Sequence, residues 1–190
     1  MVYTRKNGKK ELTFDFAEGL MHDNLLFVDR ETNTIWSQLD GQAIDGPLEG
    51  TPLNMIPSVQ TTWKHWREKH PKTEVVTVKN SPGRPYYYRN WQPGKPFPRE
   101  HKHDTSALGL GLTIQGESMF FPFRELKKNN KPFELSLAGE SITIHFNDEA
   151  ITAWAEDAEG KLLTSVLVYE KGWKSFNPKS KTYSATHNRK

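Results

Sequence analysis

Leu110-Gly111-Leu112-Thr113-Ile114, Ser118-Met119-Phe120-Phe121-Pro122-Phe123, Glu134-Leu135-Ser136-Leu137 and Ser141-Ile142-Thr143-Ile144-His145-Phe146 follow one another with turn-type residues between them. Each run is short and rich in β-branched and aromatic residues, and none keeps the 3.6-residue spacing of an amphipathic helix. Ala150 to Trp154 and Leu162 to Tyr169 extend the same pattern. This half of the chain therefore reads as antiparallel sheet.

Working back toward the N-terminus, Leu12 to Ile44 shows short alternating runs broken by Gly19, Asp23-Asn24, Thr32-Asn33, Asp40-Gly41 and Asp45-Gly46-Pro47. That spacing again favours strands and tight turns. Asn7-Gly8, between two alternating runs, predicts a hairpin at the very start. Thr61 to Lys69 differs: a capping residue precedes Trp63 and Trp66 at i, i+3, and Pro71 ends the run, so a short helix is expected there. Arg124 to Lys128 predicts a further helical turn. The fold class expected is mainly β (a β-rich α+β chain), with two related antiparallel sheet units and one or two short helices.

The chain of 190 residues reads as one domain: a unit over 1–80 containing Trp36-Ser37-Gln38, a Pro/aromatic/basic loop over 81–106, a second β unit over 107–178 and a basic tail over 179–190. A faint internal repeat joins the two units. Val2-Tyr3, Asn7-Gly8-Lys9 and Leu12-Thr13 match Ala153-Trp154, Glu159-Gly160-Lys161 and Leu163-Thr164.

Composition excludes several classes. There is no cysteine, so these residues form no disulfide, thiolate metal site or thiol nucleophile. No run approaches the roughly 18–20 apolar residues of a transmembrane helix. The net charge of +3 is too mild to suggest a nucleic-acid partner. The N-terminus lacks the apolar core and small-residue cleavage site of a signal peptide. No P-loop, G-x-S-x-G or G-x-G-x-x-G is present. Gly109-Leu110-Gly111 is read as strand.

Asp29-Arg30-Glu31-Thr32-Asn33-Thr34-Ile35-Trp36-Ser37-Gln38, followed by Gly41-Gln42-Ala43-Ile44-Asp45-Gly46, resembles the hallmark block of the DUF3179 family. The resemblance continues through Trp63-Lys64-His65-Trp66-Arg67, His70-Pro71-Lys72-Thr73, Phe121-Pro122-Phe123-Arg124-Glu125-Leu126 and Trp173-Lys174-Ser175-Phe176-Asn177-Pro178, and so spans almost the whole chain. It implies an extracytoplasmic, periplasmic-type location. It also implies a cysteine pair of the C-x-x-C-G type just before the segment matching Val2-Tyr3-Thr4-Arg5. The expectation is a fragment whose thiol-redox or metal chemistry lies in an N-terminal segment absent from these residues. The family brings no established reaction, and Glu18-Gly19-Leu20-Met21 departs from its S-G-L-L.

Candidate sites follow from residue type. On a strand Trp36 and Gln38 share one face and Ser37 takes the other, so Trp36 either walls a pocket with Gln38 or lies in the core. Arg30 and Trp63 are further ligand-binding candidates. A self-contained enzyme around Trp36 would draw on His22, His70, Asp29 and Glu31 as acids and bases. Tyr86, Tyr88 and Trp91, interleaved with Arg84 and Arg89, suggest instead a saccharide- or polyanion-binding loop or a packed lid. His101 and His103 flank Lys102, which disfavours a cation, so no metal and no cofactor is assigned. The partner expected is an unspecified small molecule or protein, in an oligomeric state the sequence leaves open.

Overall fold

Alternation in the first 60 residues resolves into eight short strands: β1 (Val2–Tyr3), β2 (Lys6–Asn7), β3 (Lys10–Glu11), β4 (Phe14–Met21), β5 (Asn24–Asp29), β6 (Ile35–Ser37), β7 (Ala43–Asp45) and β8 (Met55–Ile56). The computed structural model in which they are seen describes residues 1–74, 105–129 and 131–185. Helix α1 (Trp63–Lys69) follows, and the second half builds β9 (Leu108–Ile114), β10 (Glu117–Pro122), α2 (Phe123–Leu126), β11 (Phe133–Leu137), β12 (Glu140–Asn147), β13 (Thr152–Asp157), β14 (Ser165–Tyr169), α3 (Glu170–Phe176) and β15 (Lys181–Thr182). The chain is strand-rich, as its sequence predicts, with α3 as a third short helix beyond the one or two expected.

Tight turns set the registers. His22-Asp23, Gln115-Gly116 and Ala138-Gly139 each place two successive residues at positive φ. Each joins a register pair: Met21 with Asn24, Ile114 with Glu117 and Leu137 with Glu140. Two such residues make the type I′ loop, whose twist matches that of the flanking strands. One four-stranded sheet runs in the order β4-β5-β6-β7, a second runs β14-β9-β10-β15, and β11-β12-β13 form a three-stranded sheet. Only the β10–β15 pair is parallel among the registers described. β1 pairs with β8, and β2 with β3.

In each of the two hairpins that the sequence likens to one another a backbone hydrogen bond spans the turn. Leu12 N–H donates to the Arg5 carbonyl at 2.7 Å, and Leu163 N–H donates to the Ala155 carbonyl at 2.8 Å. Gly8 and Gly160 both sit at positive φ in the loops. The strands that follow diverge: β4 pairs with the later β5, whereas β14 pairs back with the earlier β9.

Three apolar clusters hold these layers. Leu12, Trp36, Ala43 and Leu53 form the core of the first unit. Leu110, Phe121, Phe123, Leu126, Ile142 and Ile144 lie at the centre of the second. A third cluster, with Leu39 and Met55 from the first unit and Phe120, Val166 and Trp173 from the second, joins them. Its geometry explains Gly109 and Gly111. A Cβ on Gly109 would meet Phe120 Cζ at 2.5 Å and the Phe121 carbonyl at 2.6 Å, and one on Gly111 would overlap the Trp173 ring.

Gly111→Ala should therefore lower stability by about 1–3 kcal/mol through overpacking. Gly172→Ala, inside α3, meets only ordinary contacts, the nearest being Val168 Cγ2 at 3.5 Å. It should raise stability by about 0.5–1 kcal/mol. Urea midpoints of the two variants moving in opposite directions would bear this out. An unchanged Gly111→Ala midpoint would refute it.

Candidate functional site

α1 begins where Thr62 turns extended and its hydroxyl accepts the His65 N–H, at 3.4 Å. It ends where the His70 N–H donates to the Trp66 carbonyl at 2.8 Å. None of its residues is buried. The segment leading into it is tied to the β12–β13 turn, because Thr62 N–H and the Thr61 hydroxyl both donate to the Ala150 carbonyl, at 3.2 and 3.4 Å. That turn is held by Asn147 Oδ1, which accepts the Ala150 N–H at 2.9 Å. Within it Ile151 adopts φ +47°, a left-handed conformation that crowds a β-branched side chain.

A cleft of about 150 Å³ opens between α1 and β13, lined by Val59, Thr61, His65, Trp66, Lys69, His70, Thr152 and Trp154. Trp154 is fixed on one face by His145, its cross-strand partner, whose ring stacks at 4.7 Å and 4°. His145 does not line the cleft, so the cleft lies against the other indole face. The Trp154 indole N–H donates to Glu156 Oε1 at 2.9 Å. His145 Nε2 lies 2.9 Å from Glu156 Oε2 but out of line for a hydrogen bond. Opposite, Trp66 donates its indole N–H to Thr73 Oγ1 at 2.9 Å and carries the His70 ring at 4.0 Å. Lys69 Nζ lies 5.6 Å from the Trp154 ring centroid. Thr152 is 1% exposed, and among the described residues its hydroxyl has no hydrogen-bond partner. A buried hydroxyl left without a partner costs about 1–3 kcal/mol.

The Asp29–Trp36 block is arranged in the opposite way. Asp29 is fully buried, and its carboxylate accepts the Trp36 indole N–H at 2.9 Å, the Thr32 N–H at 2.6 Å and the Thr32 hydroxyl at 2.8 Å. Thr34 Oγ1 lies 2.7 Å from Thr32 Oγ1 and accepts the Leu48 N–H at 3.2 Å. Burial pushes the Asp29 pKa up, but the hydrogen bonds from Trp36, Thr32 and Thr34 outweigh it and hold the carboxyl below its usual range. D-x-x-T-x-T-x-W is thus a closed network in which every polar group has its partner.

The family whose model matches residues 1–188 is described as a protein of unknown function, DUF3179. The chain belongs to the DUF3179 family. Searches of curated proteins and of solved structures find no match to it. In this DUF3179 chain the residues around the Trp36-Ser37-Gln38 block hold the first unit together. Trp36 is fully buried and Ser37 nearly so. Gln38 lies past the end of β6, and its carbonyl accepts the Tyr3 hydroxyl at 2.6 Å. Burial and the nearby Asp40 carboxylate push the Tyr3 pKa to about 12. Arg30 grips Asp15 with two hydrogen bonds of 2.5 and 2.7 Å in the open. Glu31 accepts the Thr13 N–H at 2.7 Å.

The two candidate histidines go to different places. His22 is the first residue of the β4–β5 turn and packs edge-on against Phe176 at 5.3 Å. His70 lines the α1–β13 cleft, where no carboxylate is among the lining residues. The α1–β13 cleft that His70 lines includes neither Trp36 nor Asp29. Trp63 is half exposed and does not line the cleft. Tyr86, Tyr88 and Trp91 lie outside the described residues. Among the described residues no cluster of three His, Asp or Glu side chains could hold a metal ion, and no helix is long and apolar enough to cross a membrane.

Sequence reasoning missed Trp66, Lys69, Thr152 and Trp154 as site residues. The available signal was the Trp63-x-x-Trp66 pair beside His70. The pairing of His145 with Trp154, which sets the second wall, exists only once β12 and β13 are in register.

Asp29→Ala strands the buried Trp36 and Thr32 N–H groups and should cost about 2–4 kcal/mol. Because the folded Asp29 pKa is depressed, its contribution is present above the ordinary Asp value of about 3.9 and is lost as pH falls through the folded value. Asp29→Asn should flatten this acid limb in urea-denaturation midpoints followed against pH. An acid limb as steep as in the parent protein would remove the network from that role.

Proposed function

We propose that this DUF3179 domain is a small-molecule binding module, with a single six-membered ring as its ligand in the α1–β13 cleft. The observation that carries this reading is the Thr152 hydroxyl, buried and unpartnered beside the indoles of Trp66 and Trp154. Indoles offer flat apolar walls to an aromatic ring or to the face of a sugar. The volume of about 150 Å³ matches a cavity that holds one benzene ring. The strained Ile151 backbone next to Thr152 adds support, because strain of this kind collects at ligand sites.

Titrating the protein with single-ring phenols, benzamides and monosaccharides while following the six indole N–H signals by NMR tests the reading. Ligands should shift the Trp66 and Trp154 signals and leave that of buried Trp173 in place. Thr152→Val should weaken binding roughly 2–10-fold, the worth of one neutral hydrogen bond. Silence of Trp66 and Trp154 toward every compound would overturn it.

A second reading is favoured by one observation. Met1 lines a separate open cavity of about 470 Å³, together with Asn24, Leu39, Gln60 and Tyr169. A cysteine pair of the family's type, carried ahead of β1 in an extracytoplasmic protein, would bring thiol-redox or metal chemistry to this cavity. An in-frame C-x-x-C codon set directly upstream of Met1 supports that reading. An in-frame stop codon there sinks it.

A further inference from the structure

The α1–β13 cleft has a charge as well as a shape. Of its lining residues Lys69, His65 and His70 are basic and none is acidic. The nearby carboxylate, Glu156, is turned to other partners: it accepts the Trp154 indole N–H at 2.9 Å, and its other oxygen lies 2.9 Å from His145 Nε2. Lys69 has no carboxylate partner among the described residues, and its ammonium lies over the Trp154 ring. An ammonium at that place meets an anion better than water does where ring walls exclude part of the solvent.

Depth orders the polar groups. Thr152 is almost fully buried, whereas Lys69 is exposed. A hydrogen-bonding substituent would reach the Thr152 hydroxyl at the inner end, and a charged substituent would meet Lys69 at the mouth. The ring between them would lie on the Trp154 face that His145 leaves free, beside Trp66.

We propose that the ligand of this cleft is a single ring carrying a hydroxyl or carbonyl at one end and a carboxylate at the other. The proposal rests on the reading of the cleft as a ring-binding site and adds the charge and polarity of the ring. Two chemical sources share this pattern, hydroxylated benzoates and uronic acids.

Titrations with 4-hydroxybenzoate, its neutral counterpart 4-hydroxybenzamide, and glucuronate separate the possibilities, with the Trp66 and Trp154 indole signals as readout. A carboxylate compound should bind more tightly than the neutral amide. Added salt should weaken the carboxylate and leave the amide unchanged. Lys69→Gln should weaken it roughly three- to fivefold, the scale of an exposed charge pair, without affecting the amide. Glucuronate outbinding 4-hydroxybenzoate would identify the sugar acid as the source, and the reverse order would identify the aromatic acid. Equal affinity of amide and carboxylate, with Lys69→Gln moving neither, overturns the anionic assignment while the ring-binding reading stands. Failure of all three to shift Trp66 or Trp154 removes both.

Discussion

The approach of the Trp173 ring to the backbone of β9 at Gly111 is the contact on which the two halves of the molecule depend. The ring fills the space a side chain would occupy. It thereby brings Phe120 and Val166 of the second unit against Leu39 and Met55 of the first. The same indole donates its N–H to Ser180 Oγ at 2.7 Å, and Lys174 donates to the Ser180 carbonyl. These bonds fix the chain just before β15, which then lies parallel to β10, with Tyr183 N–H reaching the Phe120 carbonyl at 2.8 Å. One aromatic side chain thus places a helix, a strand and the seam between sheets.

The two polar constellations of the molecule differ in what they leave undone. Around Asp29 the donors and acceptors are matched within the protein, and desolvation is offset by a set of hydrogen bonds to one carboxylate. Such a network specifies a fold and has nothing left to offer a ligand. Among the described residues the cleft beside α1 keeps a hydroxyl without a hydrogen-bond partner and an ammonium without a carboxylate partner. The family's most distinctive block therefore stabilises the first unit. The less conspicuous Trp63–Arg67 and His70 segment supplies Trp66 and His70 to the lining of the cleft.

Much of the fold was legible because turn chemistry and residue type agree. The Asn7-Gly8 signal marks a hairpin whose loop is Gly8-Lys9, and most of the runs from Leu108 to Tyr169 are strands, although Phe123 opens α2 and β14 starts only at Ser165. The exceptions have physical causes. α3 was hidden because Gly172 sits in its interior and weakens helix propensity, so burial of Trp173 decides the conformation there. The face of Trp36 was not settled by alternation because β6 ends at Ser37, and Gln38 no longer follows the pleat. His22 carries a reactive side chain, yet its left-handed backbone makes it a turn residue. The site was the least legible part. Thr152 and Trp154 meet α1 only through the β12–β13 register and the hydrogen bonds from Thr61 and Thr62 to Ala150.

The position of β15 also governs when the molecule can finish folding. The sheet β14-β9-β10-β15 draws its outer members from the end of the chain, so β9 and β10 are synthesised well before β14, Trp173 and Lys181–Thr182 arrive. Until then the glycine-lined face of β9 and the side of β10 that takes β15 have no cover. A nascent chain on the ribosome leaves Phe120 without Val166 and Trp173 during that interval, a window in which chaperones or a neighbouring nascent strand compete for the same surface. The first unit, whose β4–β7 sheet is complete by Asp45, escapes that delay.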